Sequence, residues 1–185
     1  MQADTSLPST VYTTFAGPID QQSLPRIFHN FAAATQRGVE VLHLLFQSTG
    51  GLIGDGISLY NFLRTVPLEL HIYNTGSVHS IAVLAYLAGK HRYVSINGNF
   101  MIHKVYFPAH PTGDASRFKA VAEALIADDA RIEAILRAHT KIPSEKWALY
   151  QNHDVIFDAE QAVEFGIANS IQEFQVPAGN QLFHI

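Results

Sequence analysis

The chain has 185 residues, of which 48% are hydrophobic and 15% charged, a composition that supports one packed domain and excludes a disordered polyelectrolyte. Its formal charge of −4 gives no electrostatic basis for a nucleic-acid or anionic-membrane partner. Cysteine is absent, which removes disulfides, thiolate metal sites and cysteine nucleophiles together.

No apolar run approaches the roughly 18 residues of a membrane span. Residues 1–20 contain Asp4 and Pro8 and lack a basic stretch followed by an apolar one, so they do not read as a secretory signal. The expectation is a cytoplasmic protein.

In chain order, Leu24, Ile27, Phe28, Phe31 and Ala32 share one helical face, with Ser23 as the expected N-cap, Pro25 in the first turn and Gly38 as the stop. Residues 39–47 (VEVLHLLFQ) read as a buried strand. The turn Ser48-Thr49-Gly50-Gly51 follows, then a helix over 54–64. A second strand over 68–74 precedes Thr75-Gly76-Ser77, and a short apolar helix over 79–88 closes at Gly89 before a strand over 91–96. Such alternation favours a parallel sheet with right-handed crossovers.

Beyond Asn97-Gly98-Asn99 come a short strand over 100–103, a Pro/Gly-rich loop over 106–112 and the longest helix, over 114–138. A shorter helix begins near Pro143-Ser144-Glu145. Asp158 and Gln161 resemble a capping box opening a last helix that stops at Gly166. Residues 168–174 read as a final strand and 176–185 as a loose tail.

Ligands of parallel α/β sheets bind at the carboxyl ends of strands. There, Gly50-Gly51 permits close approach of the backbone, whose free amides can hold a developing negative charge. Ser80 lies at a strand-to-helix turn, where the positive end of a helix dipole favours an alkoxide. One crossover separates Gly50 from Ser80, so neighbouring strands can bring both turns to one site. Taken singly, the Gly-Gly turn is only a turn, Ser80 only an N-cap, and Ser48 and Ser77 are chemically equivalent candidates. The G-x-S-x-G elbow is absent, because Ser80 is flanked by Val78-His79 and Ile81-Ala82.

His43 and His71 fall within strand patterns, and His29 and His139 on helix patterns. With no H-E-x-x-H and no tight His/carboxylate spacing, no metal is expected. His103 differs because it ends a short apolar strand just before a loop. Asp154, between His153 and the apolar Val155-Ile156-Phe157, reads by itself as a solvated turn residue.

The joint pattern is more specific than its parts. FQSTGG (46–51) is similar to a strand end N-S-P-G-G, GSVHSIA (76–82) to a turn G-x-A-A-S-M-G, and MIHKV (101–105) to M-I-H-Q-P. AHTKIP (138–143) is similar to A-x-H-T-G, and HDVIFDAEQAVEFGIANSI (153–171) to R-D-x-F-x-x-x-E-A-x-E-Y-G-L-x-D-x-I. In this order the motifs resemble the proteolytic subunit of ATP-dependent Clp protease, the ClpP family, within the wider ClpP/crotonase fold. The departures are Thr49 for Pro, Val78-His79 for two Ala, Lys104-Val105 for Gln-Pro, and a longer loop after His103.

The resemblance implies an α/β, ClpP/crotonase-like fold of parallel strands, right-handed crossover helices and a protruding handle helix. It implies one domain over 1–185, with a variable segment over 1–14, a handle region over 104–138 and a C-terminal tail over 175–185. The implied activity is serine endopeptidase action on unfolded or short polypeptides inside an oligomeric chamber, without cofactor or metal. Ser80 would be the nucleophile, His103 the base and Asp154 its orienting partner, with the amides of Gly51 and Ile81 as the oxyanion hole.

The implied assembly is a homo-oligomer, a tetradecamer of two heptameric rings. Its ring contact would lie along the handle face of Phe118, Val121, Leu125, Ile132, Ile135 and Leu136. A Clp-type ATPase is the family's partner, although the first 15 residues do not resemble its axial loop. Two other readings share the fold: a non-catalytic ClpP-like subunit, and a crotonase-type acyl-CoA enzyme that holds an enolate with the two amides and has no use for the Ser/His/Asp set.

Overall fold

The computed structural model describes residues 9–106 and 112–185. In chain order the first half contains β1 (Thr10–Ala16), α1 (Ser23–Gln36), β2 (Val41–Gln47), α2 (Ile53–Thr65), β3 (Glu69–Asn74), β4 (Ser77–His79) and α3 (Ala82–Leu87). The second half contains β5 (His91–Val94), β6 (Asn99–Ile102), α4 (Ala115–His139), α5 (Ser144–Tyr150), β7 (Val155–Phe157), α6 (Ala159–Glu164), β8 (Ser170–Ile171) and β9 (Leu182–His184).

The strands form two sheets. The larger has the order β8-β5-β3-β2-β1-β9 with every pairing parallel. The smaller is β4-β6-β7, in which β4 and β6 are parallel and β7 runs antiparallel to β6. The expected parallel sheet is therefore joined by one antiparallel pairing.

Along β2, Leu42, Leu44 and Phe46 are buried while Val41, His43 and Leu45 are half-buried. This period of two turns one face toward the core. The strand expected to be buried throughout is thus buried on one side. Its second face carries a layer of aromatic and imidazole rings, Tyr12, His43, His71, Tyr73, His91 and Tyr93. In contrast, all six residues of α3 are buried, as an apolar helix without a polar stripe requires. Each large side chain buried there contributes roughly 1.5–3 kcal/mol.

Local chemistry explains several departures from the expected elements. At the start of α1 the Asp20 carboxylate accepts from the amides of Gln22 and Ser23, both at 2.9 Å, so Asp20 rather than Ser23 satisfies the free N–H groups. These backbone bonds hold the Asp20 carboxyl below its ordinary value. On the same helix Ile27, Phe31 and Ala34 are buried, and Ala32 faces outward. As expected, Asp158 caps α6, accepting from the Gln161 amide at 2.8 Å.

The segment expected as a loose tail supplies β9, which extends the main sheet beside β1. The Ile185 amide donates to the Thr14 carbonyl at 3.0 Å, and His184 Nδ1 lies 2.6 Å from Thr14 Oγ1. Strand β1 is not expected from the sequence. Its hydroxyl-rich sequence, TVYTTFA, hides a period of two in which Val11, Thr13 and Phe15 are buried.

Helix α4 has 25 residues but buries only Ile132 and Leu136. Phe118 and Ile126 are exposed, at 42% and 68%. The apolar face expected to serve a ring contact is therefore divided, its C-terminal part packing on the chain's own core. Of the loop expected over 106–112, residues 107–111 lie outside the described residues, as do residues 1–8 of the expected variable segment. No described helix is long and apolar enough to cross a membrane.

Candidate active site

Two strand ends converge through main-chain hydrogen bonds. Ser48, just past β2, donates its amide to Ser77 O at 3.1 Å and accepts from the His79 amide at 2.9 Å. Strand β4 is fastened on its other side to β6, and the bond from Ser80 N to Met101 O, at 2.7 Å, extends that ladder. Ser80 emerges from this clamp with φ of 57°, and it is the non-glycine residue found at positive φ among the described residues. Such a conformation costs on the order of 1–3 kcal/mol and persists where neighbours over-determine it.

The Gly-Gly turn sits against this serine. Gly50 has φ of 101°, and its amide donates to Ser48 Oγ at 3.2 Å. Around Gly51 a parallel bridge to Ile19 uses the Gly50 carbonyl, at 2.8 Å, and the Leu52 amide, at 3.0 Å. That pattern leaves the Gly51 N–H free. Among the described residues neither the Gly51 nor the Ile81 amide donates to a backbone carbonyl, and both residues line the cavity that contains Ser80.

His103 follows β6 and completes the contact: its Nε2 lies 2.8 Å from Ser80 Oγ. Its Nδ1 lies 2.7 Å from the carbonyl oxygen of Lys104. A carbonyl can only accept, so Nδ1 carries the proton and Nε2 is the acceptor for the Ser80 hydroxyl. This is the tautomer a general base needs.

Asp154 is exposed, and among the described residues no hydrogen bond joins it to His103, whose ring nitrogens meet Lys104 O and Ser80 Oγ. The antiparallel pairing of β6 with β7 ends at Ile102 opposite Val155, and one further step of that register sets Asp154 across from His103. The structure thus joins Ser80 to His103 and leaves Asp154 beside them, with the Lys104 carbonyl at the ring nitrogen.

The sequence reading did not single out what holds Lys104. On α4, Asp129 accepts from the Val105 amide at 2.9 Å and pairs with Lys104 Nζ at 3.4 Å. Lys104 Nζ also lies 5.4 Å from the ring centre of Tyr150, whose buried hydroxyl is pushed above its ordinary pKa by desolvation. Behind the nucleophile, His79 Nε2 donates to Asn99 Oδ1 at 2.6 Å and ties β4 to β6 a second time. No sequence motif marks these partners, because each is set by pairing between distant segments.

The cavity measures about 430 Å³. Its lining includes Ser80, His103, Gly51 and Ile81 together with the apolar Leu84, Leu125, Ile132 and Leu136. A hydroxyl bonded to a correctly protonated imidazole, in a cavity also lined by two residues with free amides, is chemically suited to acyl transfer.

Residues 6–175 match the family model described as Clp protease. The chain belongs to the Clp protease family. The ATP-dependent Clp protease proteolytic subunit 3 of Rhizobium etli is 27% identical over 158 residues, covering 84% of this chain and 80% of the relative. Subunit 2 of the corresponding protease from Treponema pallidum is 26% identical over 134 residues, covering 71% and 66%. A solved ClpP1 mutant from Listeria monocytogenes shares the fold with a TM-score of 0.76 at 21% identity, covering 90% of this chain and 92% of that one. The α/β architecture expected from the family motifs is the one observed.

Proposed function

We propose that this Clp protease family member is a serine endopeptidase that hydrolyses unfolded or short polypeptides within an oligomeric chamber. The observation that carries this reading is the 2.8 Å contact between Ser80 Oγ and His103 Nε2 in the reactive tautomer. Ser80 Oγ attacks the peptide carbonyl while His103 Nε2 takes its proton. The resulting oxyanion is held by the amides of Gly51 and Ile81, each such donor contributing about 3–4 kcal/mol to transition-state stabilisation. His103 returns the proton to the departing amine, and water, activated by the same imidazole, releases the acyl group from Ser80.

Asp154 supplies the charge that the resting arrangement lacks. A carboxylate at Nδ1 stabilises an imidazolium better than the neutral Lys104 carbonyl does, because the bond becomes charge-assisted. The apolar lining of the cavity suits an apolar side chain beside the scissile bond. Two heptameric rings in the cytoplasm, meeting along α4, would keep folded proteins from the serines, and a Clp-type ATPase is the corresponding partner class.

The test is a fluorophosphonate probe applied to the assembled protein. Adduct formation at Ser80, lost in Ser80→Ala, is expected. A folded, assembled protein that takes up no label would overturn the reading in favour of a non-catalytic subunit or a crotonase-type enzyme.

A further inference from the structure

At the end of the main sheet remote from Ser80, three metal-ligating side chains converge. Glu69 and His71 are two residues apart on β3 and so share a face. His91, the first residue of β5, stands opposite His71 in the parallel register. Both imidazoles present Nε2 to the same carboxylate oxygen, Glu69 Oε1, at 3.0 Å from His71 and 3.1 Å from His91. One ligand atom from each of the three residues lies within 4.8 Å of the other two. Nitrogen and oxygen ligands on a tetrahedral zinc ion stand about 3.3 Å apart, given bonds of about 2.0–2.2 Å. The observed separations approach that spacing.

We infer that Glu69, His71 and His91 form a binding site for a divalent transition-metal ion of the zinc class, with a fourth position open to water. The donor set decides the class. Two imidazoles and one carboxylate suit zinc, whereas magnesium and calcium prefer oxygen ligands throughout.

The surroundings orient the ligands. Lys90 Nζ holds the second oxygen, Glu69 Oε2, at 2.7 Å, which leaves Oε1 directed at the imidazoles. The Tyr93 hydroxyl lies 3.4 Å from His71 Nδ1, as an outer partner of a ligating histidine does. The His71 ring lies between that of His91, stacked at 4.3 Å, and that of His43, tilted at 4.5 Å, which restricts its rotation. The Lys90 charge opposes a cation, but its side chain is 65% exposed and therefore screened by solvent and salt. An ion bound here would clasp β3 to β5 at their first residues, whatever the chemistry at Ser80.

Calorimetric titration of the full-length protein with Zn²⁺ tests the site, together with its Tm with and without the ion. One Zn²⁺ per chain and a raised Tm are expected, with no comparable response to Mg²⁺. His91→Ala and Glu69→Gln should each weaken binding by at least about tenfold, while His153→Ala, an exposed histidine elsewhere, should not. Glu69→Gln preserves side-chain size and both imidazoles, so it decides the matter if His91→Ala fails to fold. Failure of the wild-type protein to bind Zn²⁺, or full affinity in either folded variant, overturns the inference.

Discussion

A Cβ atom placed on Gly50 would lie 2.8 Å from the Cβ of Ser80. Both residues sit at positive φ, 101° and 57°, so the Gly-Gly turn and the nucleophile turn are built against each other. A side chain added at Gly50 must displace Ser80.

Gly50→Ala is therefore expected to damage the site more than the fold. The added methyl meets Ser80 Cβ and, at 3.1 Å, the His79 carbonyl, in a backbone conformation that disfavours alanine. A stability loss of about 1–3 kcal/mol should accompany a fall of at least about tenfold in the rate of Ser80 labelling. Gly54→Ala, where a Cβ meets nothing within 4 Å on α2, should instead stabilise by about 0.5–1 kcal/mol. Chemical denaturation and labelling kinetics of the two variants check both. A wild-type labelling rate in Gly50→Ala would show that this turn does not position Ser80.

Asp154→Asn should leave the fold intact and lower peptide turnover by about 10²–10⁴-fold, because the amide cannot stabilise the imidazolium. Asp158→Ala, which removes the cap of α6, should cost about 1 kcal/mol of stability and leave turnover of the folded protein unchanged. If Asp154→Asn retains wild-type turnover, orientation of His103 rests on the Lys104 carbonyl alone.

Stability should fall on mild acidification. His43 is half-buried, and burial, then the charges of His71 and His91, lower its pKa from 6.5 to about 4. Between these values the unfolded chain binds a proton that the folded chain refuses, so stability is lost as pH falls from about 6.5 toward 4. His139, lowered chiefly by burial, contributes with the same sign. Glu69, lowered from 4.5 to about 2, acts only in the more acidic window between those values. His43→Phe should retain the stack on Tyr12, whose ring lies 4.7 Å away, and flatten the decline of Tm across the upper window. An unchanged slope would assign the proton uptake elsewhere.

Assembly should depend on the exposed part of α4. Leu125 and Ile132 line the cavity of their own chain, so charges there would disturb the site as well as any contact. Phe118 and Ile126 are the exposed large apolar residues of α4. Phe118→Glu and Ile126→Glu are expected to lower the mass measured by light scattering from many times the 20.4 kDa chain mass toward smaller species. A wild-type chain that scatters as a monomer would refute the chamber and leave the chemistry of Ser80 untouched.

The order and type of most elements, and the turns on which Ser80 and His103 stand, are legible in short runs of residues. Those are local properties. The apolar period of α1, the Gly-Gly turn after β2 and the cap at Asp158 each arise from residues within one or two turns of one another. The family motifs added the fold and an order for the site residues.

Tertiary structure alone decided what those turns touch. The bridge from Ser48 to Val78 draws the Gly-Gly turn onto Ser80, the Lys104 carbonyl occupies His103 Nδ1 where Asp154 was expected, and the core captures Ile132 and Leu136 from the handle face. No metal is expected from the sequence, which has no H-E-x-x-H, and Glu69-x-His71 and His91 stand on separate strands with helix α3 between them. Only the register of β3 with β5 brings them together. Strand register and the choice among competing hydrogen-bond acceptors depend on the packing of the whole sheet, and no window of neighbouring residues contains that information.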